Sequence, residues 1–218
     1  MATTIYSETD DGDIVVTSSA GATSWADARD ATSGTATSNA QNNLRAVQSV
    51  IIGTGGSTYY SVSRAFFIFN LRGITHVPKS ATISIKGLIN SVADMKLVKS
   101  KQGTTLANAD FDAIEGWVAG ADNTNNITEY TAAINTWNVL AYNVITLNQQ
   151  ALVDIAGLDN FKCCLIEYPT DLRNIAPTAP GGVNNKSGVS YVDSIGTSVD
   201  PKLIITEQDD AVFFGANF

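Results

Sequence analysis

The sequence lacks the features by which most enzymes and nucleic-acid-binding proteins are recognised. Its 218 residues include a single histidine, His76, and no motif of the G-x-S-x-G or H-E-x-x-H kind. A basic stripe is also missing, since the formal net charge is −8 and the pI is near 4.5. These absences argue against an enzyme and against a partner made of DNA or RNA. A glycosidase is the enzymatic alternative left open, because it needs only two carboxylates that the fold brings together.

Long apolar segments are absent too. No run of 18 apolar residues occurs, so the sequence predicts no membrane insertion. The first residues, M-A-T-T-I-Y-S-E-T-D-D-G-D, have neither a basic region nor an apolar core, so we expect no signal peptide. Such a protein either stays in the cytoplasm or leaves the cell by another route, such as lysis.

Cysteine is scarce, and the two cysteines, Cys163 and Cys164, are adjacent. Neighbouring side chains in a strand point to opposite faces, which disfavours a disulfide between them. We therefore expect two thiols, at least one of them packed as a small core residue. Two thiols and one histidine make no transition-metal ligand set.

The stretch 59–88 carries the strongest structural signal. The apolar positions of residues 62–71 are almost all β-branched or aromatic, and the run is nearly continuous, which is typical of a central strand covered on both faces. After a loop, residues 81–88 alternate between apolar and polar, which predicts a strand with one buried face. Arg64 and Arg72 bracket the first strand, and we expect both to be surface or edge charges.

Short strands and two helices are predicted elsewhere. The helices are expected at 106–117 and 148–158, whereas residues 25–31 are interpreted as a strand rather than a helical turn. The remaining strands are expected at 3–7, 14–16, 47–52, 95–99, 139–147, 161–168, 188–192 and 201–206. Lysines of the 95–99 region are expected to face water and to protect a sheet edge from pairing with other chains; they are Lys96, Lys99 and Lys101.

About ten strands with so few helices exclude a parallel α/β fold. The pattern fits a single all-β domain over residues 1–206, an antiparallel two-sheet sandwich of jelly-roll type. Residues 207–218 follow as a tail that is too apolar for a free solvated segment. This tail either docks into a neighbouring subunit or folds back on its own domain. Its apolar side chains, the predicted assembly interface, are Val212, Phe213, Phe214 and Phe218.

Four segments, taken in their order along the chain, carry a family resemblance. They are T-I-Y-S-E-T-D-D-G-D-I; R-A-F-F-I-F-N-L-R-G-I with V-P-K-S-A-T-I-S-I-K-G-L; Y-N-V-I-T-L-N-Q-Q-A-L-V-D-I-A ahead of F-K-C-C-L-I-E-Y; and D-P-K-L-I-I-T-E. Together they resemble the carbohydrate-binding-module-like β-sandwiches of the DNRLRE type, found in bacterial surface proteins and phage virion proteins. The chain departs from that pattern with Asn70 in place of the usual Asp and Gly87 in place of a frequent Ala.

The resemblance implies a non-enzymatic structural protein of a phage-type virion, such as a capsid-decorating, fibre or tail-associated subunit. Its partners would be other virion proteins or copies of itself, and assembly in the host cytoplasm would need no signal peptide. The alternative is a glycan-binding adhesion module, and both hold if a virion protein grips host glycans. Candidate sugar platforms, for which core packing is the competing interpretation, are Trp25, Trp117, Trp137, Tyr59 and Tyr60.

Structural calcium is the one cofactor that the resemblance suggests. Asp10, Asp11 and Asp13 form the densest acidic cluster, and hard cations need several oxygen ligands. The cluster lacks EF-hand spacing, and acidic residues in turns commonly serve to form the turn. We therefore name these three residues as the candidate metal site and leave the turn-forming role as the alternative.

Overall fold

The computed structural model of the protein describes residues 1–18, 24–38, 42–54, 57–91, 93–178, 185–191 and 198–208. These residues form an all-β fold with two short α-helices, which confirms the predicted class. Every strand pairing is antiparallel. The strands are β1 (Ala2–Tyr6), β2 (Gly12–Thr17), β3 (Thr35–Ser38), β4 (Asn42–Thr54), β5 (Ser57–Asn70), β6 (Ser80–Ser91), β7 (Met95–Lys99), β8 (Tyr142–Thr146), β9 (Asn160–Glu167), β10 (Asn185–Ser190) and β11 (Lys202–Thr206).

Two long strands, β5 and β6, organise the pairing. β5 pairs with β2, β4 and β9, while β6 pairs with β8, β10 and β11. β10 also pairs with β4, so the described strands are linked into one eleven-stranded sheet. The two-sheet sandwich stays a prediction. A jelly-roll order of connections stays a prediction.

The sheet folds over itself around one large core. Phe67 and Phe69 of β5 share this core with Ile83 and Ile85 of β6, and all four side chains are buried. The opposite face of β5 is covered as well, because Phe66 belongs to a second core cluster. The near-continuous apolar sequence of β5 therefore reflects burial on both faces, as predicted.

The two cysteines repeat this arrangement on β9. Cys163 packs in the first core and Cys164 in the second, and both are free thiols. Burial raises the pKa of both thiols above the ordinary range. They are therefore inert core residues, in agreement with the prediction for at least one of them.

Short helical segments and turns cover the second core. They are α1 (Trp25–Arg29), a 3₁₀ turn (Asn108–Asp110) and a π-helical turn (Tyr168–Leu172). The strand interpretation of residues 25–31 is wrong, because the Ser24 side chain accepts a hydrogen bond from the N–H of Asp27 and begins a helix there.

The long helix predicted over residues 106–117 is also wrong. Beyond the 3₁₀ turn this segment runs along the end of β7 and the residues after it. Backbone bonds run from Lys101 N to Ala113 O and from Glu115 N to Lys99 O. Gly116 then adopts a φ of 81°, which ends the run. Leu106, Phe111 and Ile114 are spaced as in a helix, but they are buried by turns and not by a helix.

The second predicted helix is confirmed as α2 (Gln149–Gly157), with Leu152 and Ile155 buried and Asn148 capping its first turn. The strands predicted from 95–99 and 161–168 coincide closely with β7 and β9. β3 was missed, because it lies in a polar stretch interpreted as loop. None of the helices in the described ranges has the length and apolar character needed to cross a membrane.

Candidate functional site

A buried ion cluster lies in the second core, at a position that the sequence analysis did not predict. Arg64 of β5 is fully buried, so its prediction as a surface charge is wrong; Arg72 is exposed as expected. The Arg64 guanidinium donates from Nε and Nη2 to the two carboxylate oxygens of Asp171, both at 2.8 Å. A planar fork facing a carboxylate in this way gives a strong, directional pair.

The same cluster ties loops to the sheet. Arg64 also donates to the backbone oxygens of Phe111 and Arg29, and Arg29 donates to the backbone oxygen of Asp171. The Trp117 ring lies against both guanidinium groups, 4.1 Å from Arg64 and 4.3 Å from Arg29. Because Arg29, Arg64 and Asp171 have no exposed side-chain area, the cluster is a structural clamp rather than a ligand site.

A carboxylate supports the clamp from behind. Oε2 of Glu167 accepts hydrogen bonds from the N–H groups of Thr170 and Asp171 and from the Thr170 hydroxyl, and it thereby caps the π-helical turn. Burial raises the pKa of Glu167 to about 7, although these hydrogen bonds work in the opposite direction. The Asp171 carboxylate is thus held in place from two sides.

A polar cleft of about 380 Å³ opens on the sheet formed by β2, β4 and β5. Its floor consists of buried polar side chains: Gln48 donates to the Ser61 hydroxyl at 2.9 Å, and Ser63 donates to the backbone oxygen of Ala46 at 3.1 Å. The half-buried Tyr59 also lines the cleft. The full lining is Asp13, Val15, Thr17, Arg45, Gln48, Ile52, Tyr59, Ser61 and Ser63.

Sequence reasoning missed most of this cleft, although β5 carried a signal. Its odd-numbered residues face one side of the sheet, and they change from Ser61 and Ser63 to Ala65, Phe67 and Phe69. The change marks the point at which this face passes from the polar cleft into the large core. Tyr59 is the one predicted glycan residue that lines the cleft.

The other predicted platforms are engaged elsewhere. Trp137 is buried in the large core, and its Nε1 donates to the Gly188 backbone oxygen. Trp117 packs beneath the two arginines described above. Trp25 and Tyr60 contact each other edge to face at 5.5 Å, and Trp25 Nε1 donates to the side-chain oxygen of Asn174. Core packing, the competing interpretation, therefore describes Trp137 and Trp117 better.

The predicted calcium residues do not assemble into a ligand set. Asp11 and Asp13 are buried, and their carboxylates accept hydrogen bonds from Ser7 at 2.7 Å and Ser63 at 3.5 Å, respectively. Asp10 is half-buried. In the part of the chain that the structure describes, no three His, Cys, Asp or Glu side chains come together as a metal site.

Two of the three lysines expected to face water are paired instead. Lys96 binds Glu129 at 2.6 Å, and Lys99 contacts both Asp154 at 3.2 Å and Glu115 at 3.4 Å. Only Lys101 is exposed. The β7 edge is protected by the chain itself, since backbone bonds join Met95 to Ile134 and Leu97 to Tyr130.

The edge of β8 is different, because β6 is the only strand of the described residues that pairs with β8. Backbone bonds run from Leu147 N to Ala81 O and from Gly87 N to Ala141 O, so the odd-numbered residues on the β8 side form the hydrogen-bonded pairs with β6. Bonded and non-bonded pairs alternate in an antiparallel ladder. The even-numbered residues of β8 therefore direct their backbone N–H and C=O groups away from β6.

A groove of about 410 Å³ runs along this edge. Residues 131–136, the segment that covers β7, form its other bank, and no charged residue lines it. Among the described residues, no backbone group of the opposite bank bonds to Tyr142, Val144 or Thr146. The lining residues are Thr131, Ala132, Ala133, Ile134, Thr136, Tyr142, Asn143, Val144, Ile145 and Thr146.

The predicted assembly residues Val212, Phe213, Phe214 and Phe218 lie outside the described residues. No protein-family model matches the chain, and no curated protein sequence matches it. The DNRLRE-type resemblance therefore stays a prediction.

Proposed function

We propose that the protein is a non-enzymatic structural subunit of a phage-type virion, a capsid-decorating, fibre or tail-associated protein at the particle surface. The observation that carries this proposal is the edge of β8 beside its groove, which is uncharged and which no described segment covers. A strand edge without lysine, proline or a covering segment favours pairing with another chain, and proteins that must stay apart block such edges. An edge of this kind offers an assembling subunit a surface for pairing with a neighbour.

The buried clamp supports the same proposal. Arg64 and Asp171 fix α1, the 111–121 loop and the π-helical turn onto the sheet, so the loops are held rigidly on one scaffold. The charged groups that are buried here stabilise the fold and face no cleft. Rigid loops on a β-scaffold suit a subunit that presents fixed surfaces to its neighbours.

The test is the location of the native protein. Antibodies raised against the purified protein are applied to density-purified particles released by lysis of the source cells, and labelled particles are imaged by electron microscopy. We expect regular labelling of the particle surface, together with stoichiometric amounts of the chain in the particle proteome. A chain found only in the unassembled fraction of the lysate overturns the proposal.

A second candidate function is glycan binding, and the polar cleft favours it. Sugar hydroxyls need closely spaced donors and acceptors, and the exposed Thr17 and Arg45 line the cleft above its floor of bonded polar side chains. Tyr59 adds an aromatic side chain of the kind that packs on a sugar ring. The ligand expected here is a polyhydroxylated chain rather than an apolar molecule.

A glycan array followed by titration calorimetry tests this second function. Tyr59→Ala is expected to weaken binding about fivefold or more, which corresponds to about 1 kcal/mol. The matched control is Tyr6→Ala, because Tyr6 is a partly exposed tyrosine on β1 that does not line the cleft. Binding that is absent, or equally affected by both substitutions, contradicts a glycan site in the cleft.

A further inference from the structure

The groove beside β8 lies between two backbone segments that run along it. Its two banks are β8 and residues 131–136, and each bank already bonds a strand on its far side, β6 and β7. Elsewhere in the sheet β10 occupies such a position, since it pairs with β4 at one edge and β6 at the other. A strand added beside β8 would find unused backbone donors and acceptors there.

We propose that residues 211–218 of a neighbouring copy add as a strand to the free edge of β8. This inference rests on the proposed function in one respect, namely that copies of the chain assemble with each other. It goes beyond the proposed function by naming the segment that occupies the β8 edge and the copy that supplies it.

The composition of the segment matches that of the groove. Residues 211–218 read A-V-F-F-G-A-N-F, with no charge and no proline, and β-branched and aromatic residues favour strands. The groove is likewise uncharged and has small side chains, Ala132 and Ala133, on one bank. Small side chains on that bank leave room for a strand beside β8.

The geometry favours a neighbour over the chain's own segment. β11 ends at Thr206, which lies at the same end of the sheet as the end of β8. The connection after β8 closes the groove there, because Asn148 donates from its backbone to Tyr130 and from its side chain to Glu129. The chain's own segment would have to cross this connection, whereas a neighbouring chain can approach from the outer face.

A proline substitution at the edge tests the pairing. Val144→Pro removes an N–H that points away from β6 and replaces a side chain that is 65% exposed, so the domain is expected to stay folded. Self-association, measured by light scattering across a concentration series, is expected to weaken about tenfold or more. Removing residues 209–218 is expected to have the same effect.

The matched control is Thr4→Pro. Thr4 is exposed on β1, the other edge strand of the same four-strand region, and its N–H also points away from the neighbouring strand. This variant is expected to associate like the unmodified protein. If Val144→Pro associates as tightly as Thr4→Pro, or if both weaken equally, the β8 edge is not the receptor.

Cross-linking identifies the segment and the copy that supplies it. Equal amounts of a Thr146→Cys variant and a Phe213→Cys variant are mixed under oxidising conditions; Cys163 and Cys164 are buried and do not interfere. We expect a disulfide-linked dimer that contains one chain of each kind. No dimer, or a link formed only within one chain that carries both substitutions, overturns the inference.

Failure of the two proposals can be told apart. A chain that is regularly arrayed on particles, yet indifferent to Val144→Pro, leaves the virion function standing and removes the β8 receptor. A chain that is absent from particles but forms the mixed disulfide removes the virion function and leaves the β8 receptor standing.

Discussion

Arg64 and Asp171 lie 107 residues apart in the sequence, and two hydrogen bonds of 2.8 Å join the guanidinium of one to the carboxylate of the other. Both side chains are completely buried. Each charge is tolerable in the core only because the other is present, since an unpaired buried charge carries a large desolvation cost.

Arg64→Ala should therefore leave the Asp171 carboxylate with only part of its partners. We expect the free energy of unfolding to fall by about 3–5 kcal/mol, measured by urea denaturation. Arg72→Ala is the control, because Arg72 is exposed and a change of less than about 0.5 kcal/mol is expected there. The double variant Arg64→Leu with Asp171→Leu should be more stable than Arg64→Ala, and a double variant that is less stable would contradict the pairing argument.

The pairing of Arg64 with Asp171 could not be predicted from the sequence, whereas several strands and one helix could. The β5 and β6 strands, α2 and β9 were predictable, because each has a local apolar period or run that its burial reproduces. Arg64 was not, since one arginine within an apolar strand fits an edge position as well as a buried one. Its partner Asp171 sits in a stretch interpreted as irregular loop, and no local pattern links the two.

The polar cleft was not predicted, and the helix predicted over residues 106–117 was wrong, for related reasons. The serines of β5 face a cleft only because of how far the sheet folds over, which is a property of the whole chain. In the 106–117 segment, apolar residues near helical spacing were buried by turns that bond to β7. Spacing alone does not distinguish these two arrangements.

Glu167 gives the protein a predictable pH dependence. Its pKa is raised from 4.5 to about 7 in the folded protein, so the folded state holds this proton more tightly than the unfolded state. The stabilisation is therefore fully present below about pH 4.5 and is lost as the pH rises through about 7. A shift of this size corresponds to about 3 kcal/mol.

The comparison of the unmodified protein with Glu167→Gln isolates this group. The amide oxygen of glutamine can accept the hydrogen bonds from Thr170 and Asp171 without titrating. Denaturation at a series of pH values should show the difference in unfolding free energy shifting in favour of Glu167→Gln between pH 5 and 8. A difference that does not change with pH would mean that the Glu167 proton is held no more tightly in the folded state.

Tyr130 and Asp154 provide a test of a single hydrogen bond in the large core. The Tyr130 hydroxyl donates to Oδ2 of Asp154 at 2.7 Å, and its ring stacks on Phe161 at 4.8 Å. Tyr130→Phe keeps the stack and removes the bond, so we expect a loss of about 1–3 kcal/mol in thermal or urea unfolding. Tyr168→Phe, at a half-buried tyrosine, should change stability by less than about 0.5 kcal/mol.

Gly87 of β6 lies directly against the 137–138 connection. A Cβ atom placed on Gly87 would lie 2.1 Å from the backbone oxygen of Asn138 and 2.7 Å from Nε1 of Trp137. The Trp137 ring is itself fixed, since it is buried and bonds Gly188. Gly87→Ala must therefore displace the Asn138 backbone, and we expect a cost of about 1–3 kcal/mol.

The control for Gly87→Ala is Gly157→Ala at the end of α2. No atom lies within 4 Å of a Cβ built at Gly157, and alanine has a higher helix propensity than glycine. This variant should be as stable as the unmodified protein or more stable by up to about 1 kcal/mol. Equal stabilities for the two alanine variants would show that the 137–138 connection can shift to make room for a methyl group. The close approach of that connection to β6 would then not be a requirement of the fold.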